Sequence, residues 1–211
     1  MAQLPKALTT APLRTFRPQD LTDVYTQPNV QLHRLMRQGR VRRIAHGLYY
    51  TVPDDKSDTW VPTLEALAAG AATAIFGENV PVLMHLTAAR LHGVLPRAIG
   101  LAFVAAPRQH PPIRLDDAYR TATVTFVARD VDALDATLQG TDLGAALVTT
   151  PEQTVLDLGK RPQLGGMPDE CRDAIRALLP RCDETLLNDL AGAQRMQRTL
   201  KRIEATYRVA A

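Results

Sequence analysis

The chain has 211 residues, 45% of them hydrophobic and 22% charged, which is sufficient for one large domain or two modest ones. We find no apolar run near the ~20 residues that cross a bilayer and no secretion signal, so no membrane partner and a cytoplasmic location are expected. The net charge of +3 is divided unevenly, with +6 in residues 1–52 and −3 in the rest, which is typical of a nucleic-acid-binding module joined to a body with another task.

Two short helices are predicted before residue 26. The first covers residues 4–11, and the second covers residues 18–25, where Pro18 suits the first helical position because no needed N–H is lost there. A tight turn then leads to a third helix, which starts at Pro28. Gly39 is expected to end this helix, because glycine readily takes the left-handed conformation of a helix stop.

The third helix separates apolar from polar side chains when residues are placed every 100° around its axis. Leu32, Leu35 and Met36 face one way, into a small core. The opposite side carries groups that read base edges in a major groove, since arginine can bond guanine, glutamine can bond adenine and valine can touch a thymine methyl group. We expect DNA contacts at Asn29, Val30, Gln31, His33, Arg34, Arg37 and Gln38.

A basic β-hairpin is predicted directly after this helix. Its strands, 41–45 and 48–52, flank His46-Gly47, a two-residue connection with glycine where φ must be positive. Four side chains of this segment are placed to neutralise phosphates or to enter a minor groove: Arg40, Arg42, Arg43 and His46.

A helix followed by a basic hairpin is the second half of a winged helix-turn-helix, so a DNA-binding domain is predicted at residues 1–53. The alternative is a solvated basic surface, which is the commoner meaning of an isolated run of charge. The DNA-binding interpretation requires that the arginines face solvent and not the protein's own body.

A second domain of mixed α/β structure is predicted at residues 59–211, after the polar linker 53–58, which makes the whole chain an α+β protein. It starts with an alanine-rich helix over residues 60–76, where small side chains permit close approach. A second helical segment around Leu86 is closed by Gly93. Strands are predicted at 101–105, 122–128 and 145–149. The intervening PRQHPPIR has three prolines, so it is expected to be a loop or arm and not part of a central sheet.

Three helices are predicted at the end of the chain. Thr150-Pro151-Glu152-Gln153 forms a capping box that opens the first, Pro168 starts the second, and the third runs from about Asp183 to Tyr207. The inward side chains of the third are expected to be Leu186, Leu187, Leu190 and Met196. Its basic end is a candidate second contact patch for DNA or an acidic partner, although cations near a helix C-terminus are favourable in themselves. The patch consists of Arg195, Arg198, Lys201 and Arg202.

No catalytic constellation is recognisable. A metal-dependent nuclease needs an acidic residue followed by Glu or Gln, one residue and Lys, and the chain contains neither Glu-x-Lys nor Gln-x-Lys. Asp157-Leu-Gly-Lys160 is the nearest segment, and its spacing is wrong. Ser57 is the only serine, and Gly165-Gly166 lacks the Gly-Lys-Ser/Thr of a phosphate-binding loop.

Metal and cofactor sites are not expected either. His85 and His92 are two helical turns apart but have no third ligand at matching spacing, which favours hydrogen-bonded packing residues over a metal site. Cys171 and Cys182 lack a zinc-binding pattern and are expected to be reduced thiols.

Three segments, in order along the chain, resemble the AbiEi-type transcriptional regulators, which are antitoxins of bacterial type IV toxin–antitoxin operons. GRVRRIAHGLYYTVP is similar to the segment that closes their winged helix. MHLTAARLHGVLP is similar to the next family segment, with Thr87 in place of serine. VTTPEQTVLDL is similar to a third segment, with Gln153 where arginine is common. In length the chain is similar to mycobacterial members of this family.

This resemblance implies a division of labour between the two domains. The N-terminal domain is expected to bind double-stranded DNA at repeats in its own promoter and to repress the operon. The C-terminal domain is expected to neutralise a co-encoded nucleotidyltransferase-like toxin, without the need for a stable complex, and the resemblance allows it to contact DNA as well. Two other interpretations stay open from the residues: a DNA-processing enzyme (an endonuclease) with unrecognised catalytic residues, and a regulator that senses a small ligand.

Overall fold

The chain is a mixed α+β protein with two sheets, in a computed structural model that describes residues 4–57, 59–97, 99–116, 119 and 121–207. The strands are β1 Thr15–Phe16, β2 Val41–Ala45, β3 Leu48–Thr51, β4 Val82–Leu83, β5 Leu101–Ala106, β6 Ile113–Arg114, β7 Thr123–Ala128, β8 Ala136–Thr141 and β9 Gly144–Thr149. The helices are α1 Lys6–Thr9, α2 Pro28–Arg37, α3 Leu64–Phe76, α4 His85–Leu91, α5 Pro151–Lys160, α6 Pro168–Leu178, α7 Glu184–Ala193 and α8 Gln197–Tyr207. No helix within these described ranges is both long and apolar enough to cross a bilayer.

The N-terminal residues form a small three-stranded antiparallel sheet in the order β1-β3-β2, against which α2 packs. The predictions of α2 and of the hairpin are confirmed, since α2 starts at Pro28 and the strands flank His46-Gly47. Gly39 and Gly47 have φ values of 70° and 73°, the left-handed region that favours glycine. Leu32 lies in a small core with Leu8, Phe16, Leu21 and Val41.

The first two predicted helices are shorter than expected. The first is the single turn α1, and the second is a 3₁₀ helix, Pro18–Leu21. The Asp20 carboxylate accepts from the Arg17 backbone N–H at 2.8 Å and so closes this turn at its start. Val24 is 40% exposed, so a further helical turn would bury no apolar side chain to offset its cost in chain entropy. Strand β1, between them, was not predicted.

The larger sheet has six strands in the order β6-β7-β5-β4-β9-β8. The pairs β5/β7 and β4/β9 are parallel, and the other neighbouring pairs are antiparallel. The predicted strands at 101–105, 122–128 and 145–149 are confirmed as β5, β7 and β9. The expectation for PRQHPPIR is corrected: its last two residues join the sheet as β6, but only at the edge, where proline is tolerated. Strand β8, at the opposite edge, was not predicted.

Helix α3 connects the two sheets. It lies against the face of the large sheet that also receives the hairpin, so Ile44 and Tyr50 share one hydrophobic core with β5 and β7. Every residue of α3 from Leu64 to Thr73 is buried. A Cβ at Gly70 would lie 2.4 Å from Cγ2 of Thr15, and the Thr15 hydroxyl donates to the Gly70 carbonyl at 2.9 Å. The predicted role of small residues in close approach is therefore confirmed.

Helices α4 to α8 cover the opposite face of the large sheet. The single helix predicted from Asp183 to Tyr207 is wrong: α7 and α8 are separated at Arg195, which has a φ of 57°. The Met196 N–H bonds the Ala191 carbonyl at 2.7 Å, a helix-ending pattern in which the left-handed position is usually glycine. Leu186, predicted to face inward, is exposed.

Candidate nucleic-acid interface

The outer face of α2 lies in water. Leu32, on the inner face, is 1% exposed, whereas Val30 is 58% exposed. The other side chains predicted to contact DNA from this helix are exposed at Asn29, His33, Arg34, Arg37 and Gln38, and half-buried at Gln31. Within the described residues, the guanidinium groups of Arg34 and Arg37 have no hydrogen bond or ion pair.

The start of α2 is open to an anion. Gln27 occupies the N-cap position, and no side chain caps the helix there. Pro28 has no N–H, and the backbone N–H groups of Asn29 and Val30 have no partner within the helix. These two groups carry part of the positive end of the helix dipole. A phosphate group near Asn29 would therefore be stabilised by the backbone as well as by side chains.

The arginines of the hairpin are placed differently, because each contacts the protein itself. Arg40 forms an ion pair with Asp54 at 2.9 Å, and Arg42 donates to the Trp60 carbonyl at 2.6 Å. Arg43 forms an ion pair with Asp116 at 2.5 Å, although its side chain stays 44% exposed. His46, at the turn, is exposed. DNA binding requires arginines that face solvent. The arginines of α2 do so, whereas those of the hairpin do so only in part.

The predicted second basic patch is divided between a turn and a helix. Arg195 lies in the turn between α7 and α8, and Arg198, Lys201 and Arg202 lie on α8. All four side chains are exposed. Arg202 also donates to the Gly159 carbonyl at the end of α5.

The two histidines of the segment MHLTAARLHGVLP connect α4 to other elements of the C-terminal part of the chain. His85 is fully buried and donates from Nε2 to the Arg161 carbonyl at 3.1 Å; burial lowers its pKa to about 4. His92 donates from Nε2 to the Thr149 carbonyl at 2.8 Å, and burial lowers its pKa as well. The Thr87 hydroxyl accepts from the Phe103 N–H at 2.6 Å. These polar side chains fix α4 to α5 and to the sheet.

The third segment, VTTPEQTVLDL, contributes a buried polar network. Thr150 caps α5 by accepting from the Gln153 N–H at 3.3 Å, but the Gln153 side chain does not complete the predicted capping box. It turns inward, donates to Asp157 at 3.2 Å and exchanges two amide hydrogen bonds with Gln194. Asp157 forms an ion pair with Arg129 at 2.8 Å. Burial raises the pKa of Asp157, and the nearby Arg129 opposes this rise.

Cys171 is buried, and burial raises the pKa of its thiol to about 12, while Cys182 is half-buried; both are free thiols. In the described part of the chain, no group of three or more His, Cys, Asp and Glu side chains is arranged to hold a metal ion. Asp157, the acidic residue of the nearest nuclease-like segment, is bound to Arg129 and shielded from water.

Residues 81–205 match the family model described as the AbiEi antitoxin C-terminal domain. The protein is therefore an antitoxin of a toxin–antitoxin system. The chain belongs to the AbiEi family, as the resemblance predicted, and antitoxins of this family are generally non-enzymatic. The match begins after α2 and the hairpin, so it does not include the face that is predicted to contact DNA.

One solved structure similar to this chain is the crystal structure of the RV2827C protein from Mycobacterium tuberculosis. The two chains are 16% identical, the similarity covers 88% of this chain and 71% of that chain, and the TM-score is 0.55. At this identity the likeness concerns the fold alone. None of the curated proteins matches the chain.

Proposed function

We propose that this antitoxin is a sequence-specific DNA-binding repressor, which autoregulates its own operon and neutralises a co-encoded nucleotidyltransferase-type toxin. The observation that carries the DNA-binding part is the outer face of α2, where two arginines without a described partner lie beside an exposed valine. Because these exposed side chains have no partner within the described residues, they are available to bind an external ligand.

In this proposal the N-terminal unit acts as a winged helix-turn-helix, with α2 as the recognition helix and the β2–β3 hairpin as the wing. The order of short helix, strand, 3₁₀ helix, helix and hairpin supports this assignment. With its side chains an α-helix such as α2 has a diameter of about 10–12 Å, which suits a major groove about 12 Å wide. Arg34 and Arg37 are one turn apart and can each bond guanine bidentately, while Val30 suits a thymine methyl group.

The hairpin has a second role in this proposal, which is to hold α2 at a fixed position on the body. Arg42 is bonded to the Trp60 carbonyl and Tyr50 contacts the Trp60 ring, so both link the hairpin to the segment that precedes α3. Arg40 and Arg43 have partly exposed carboxylate partners, so a DNA phosphate could replace those carboxylates on binding.

Toxin neutralisation is proposed for the C-terminal domain, since residues 81–205 carry the antitoxin match. The exposed cations of α8 lie inside that range and are the proposed contact for an acidic partner. A stable complex with the toxin is not required. The experiment is co-expression of the full chain with the product of the neighbouring nucleotidyltransferase gene. Restored growth is the expected result, and unrelieved toxicity would contradict this part of the proposal.

The DNA-binding part is tested with the full chain and the DNA upstream of its own gene. Arg34→Ala and Arg37→Ala should each weaken binding by about 1–3 kcal/mol and reduce the preference for the operator over scrambled DNA, if each arginine bonds a base. Arg176→Ala, at an exposed arginine of α6, is the matched control and should bind as the wild type does.

Fluorescence anisotropy at several salt concentrations gives both affinity and preference. Equal affinity of the wild type for operator and scrambled DNA would contradict sequence-specific binding. The same samples, incubated with magnesium, also test the endonuclease alternative, because a repressor should leave the DNA intact and a nuclease should cut it.

A further inference from the structure

A cleft of about 800 Å³ lies between the N-terminal unit and the edge of the large sheet. One wall consists of the hairpin turn, the start of the 3₁₀ helix at Pro18 and the start of α2 at Asn29. The other wall consists of the segment 107–114, which includes β6. Sites that enclose small molecules have volumes in this range and often lie between domains. The cleft can therefore hold a ligand much larger than a single phosphate ion.

The charged side chains that line the cleft are basic, and the described lining residues include no aspartate or glutamate. Arg108 and Arg114 are exposed, and within the described ranges neither forms an ion pair. Arg17 pairs with Asp20 through Nη2, but its Nε–H is buried and has no acceptor among the described residues. The cleft therefore favours a ligand with more than one negative charge.

The start of α2 adds backbone donors to these cations. The N–H groups of Asn29 and Val30 have no partner within the helix, and Asn29 lines the cleft. A phosphate group there would also be stabilised by the positive end of the helix dipole. Because Arg108 and Arg114 lie on the facing wall, the two walls can bind separate phosphate groups of one ligand.

The cleft also has apolar lining, which a purely ionic ligand would leave without a contact. The apolar lining residues are Ala45, Leu48, Ile75, Pro112 and Ile113. A flat ring placed against such side chains is stabilised by the apolar area that it removes from water. The lining thus fits a molecule that carries both phosphates and a base.

The segment 107–114 is held in position in the absence of a ligand. The His110 ring lies against the rings of Phe76 and Phe126, with centroid separations of 5.9 and 4.9 Å. The Arg108 guanidinium lies over the Phe76 ring, 5.4 Å from its centroid, and the Gln109 amide donates to the Phe126 carbonyl at 3.3 Å. A wall fixed in this way loses little conformational entropy when a ligand binds.

We propose that the cleft binds a nucleoside polyphosphate, and that its occupancy releases the operator. The phosphates lie on Arg108, Arg114 and the start of α2, and the base lies on the apolar lining. The release rests on the proposed function, because Asn29 and His46 line the cleft and are also proposed DNA contacts. A ligand phosphate and a DNA phosphate cannot occupy the start of α2 together, so each ligand should weaken the binding of the other.

The binding part is tested by isothermal titration of the full chain at about 0.15 M salt. Magnesium is left out so that the phosphates keep their charge. The probes are ATP, GTP, CTP and UTP, each used alone, and inorganic tripolyphosphate, which has no base. At least one nucleotide should bind about tenfold more tightly than tripolyphosphate, because only the nucleotide contacts the apolar lining.

Two double variants locate the binding site. Arg108→Gln/Arg114→Gln should weaken binding of that nucleotide by at least about tenfold, since two hydrogen-bonded charge contacts are lost. Arg172→Gln/Arg176→Gln removes the same charge from exposed positions of α6 and should bind the nucleotide as the wild type does. Equal binding by both variants would place the nucleotide outside the cleft and overturn the proposal.

The release is tested by fluorescence anisotropy with operator DNA at constant ionic strength. With the tightest nucleotide at about ten times its Kd, the operator Kd of the wild type should rise about tenfold, as mass action requires when binding is exclusive. In Arg108→Gln/Arg114→Gln, the operator Kd should be the same with and without nucleotide, whatever its absolute value. The α6 variant should show the wild-type rise.

The outcomes separate this proposal from the proposed function. If none of the four nucleotides binds more tightly than tripolyphosphate, the cleft attracts anions by charge alone and the nucleotide proposal is wrong. If a nucleotide binds in the cleft and leaves the operator Kd unchanged, the release is wrong. The repressor proposal is judged without nucleotide: it stands if Arg34→Ala weakens operator binding, and it fails if the wild type does not prefer the operator to scrambled DNA.

Discussion

Helix α2 keeps its polar side chains in water, whereas α4 and α5 bury theirs. Arg34 and Arg37 contact no described carboxylate, while His85, Gln153 and Asp157 are all bonded inside the body. The buried residues belong to the segments that resemble the family, and they connect helices to one another and to the sheet. The comparison shows that buried polar residues within the matched range 81–205 stabilise the fold, whereas the residues proposed to recognise DNA lie outside this range.

The largest difference in the free energy of unfolding is expected between alanine substitutions at two aspartates. Asp157→Ala would leave the Arg129 guanidinium and the Gln153 amide without their buried acceptor, and should lower the free energy of unfolding by about 3 kcal/mol. Asp173→Ala removes an exposed ion pair to Arg176 and should change it by less than about 0.5 kcal/mol. Urea denaturation at pH 7 measures both. Equal losses would show that burial of the network contributes no stability.

The second difference concerns how stability changes at low pH, for which a buried and an exposed histidine are compared. The folded pKa of His85, about 4, is below its unfolded value of 6.5, so its contribution to stability is present above pH 6.5 and is lost as the pH falls towards 4. The loss should approach about 3 kcal/mol. His85→Asn should flatten this dependence, since asparagine cannot become charged and tolerates the φ of 56° at this position.

Denaturation curves between pH 7 and pH 4 give the measurement for His85. His33→Asn, on the exposed face of α2, is the control and should keep the wild-type dependence. An unchanged slope in the His85 variant would contradict the assignment of acid sensitivity to this residue.

The polar contacts of the hairpin are less buried than those of α4 and α5 and less exposed than the outer face of α2. A substitution there is expected to change stability the least. The pair formed by Arg43 and Asp116 is partly exposed, so a double-mutant cycle with alanine at both positions should give a coupling energy of at most about 1 kcal/mol. The coupling should also decrease with added salt. A value above about 2 kcal/mol would place Arg43 with the buried network and would argue against its release to a phosphate.

Local signals were sufficient to predict α2 and the hairpin from the sequence. Pro28 favours the first position of a helix, and Gly39 and Gly47 favour a positive φ, because of the properties of these residue types alone. The structure places all three in the expected conformations. The alanine-rich composition of α3 likewise predicted close approach. The exposed face of α2 could be predicted as well, because it follows from the helical period and the position of three apolar residues.

Contacts between distant parts of the chain could not be predicted. Strand β1 has two residues and exists because it pairs with Tyr49 and Tyr50 of β3. The break between α7 and α8 places Arg195 in a conformation that usually requires glycine, so no sequence signal marked it. Asp116, the partner of Arg43, lies far along the chain, and the proximity of the segment 107–114 to the start of α2 depends on the whole fold.

The burial of α3 from Leu64 to Thr73 has a consequence for how this protein opens. The hairpin and strand β1 meet this helix from one direction and the large sheet from another, so its residues from Leu64 to Thr73 are shielded from water unless one of the two sheets separates from it. The peptide N–H groups of this buried stretch should therefore exchange with solvent only when one of the two sheets leaves the helix, which couples the stability of the N-terminal part to that of the C-terminal part.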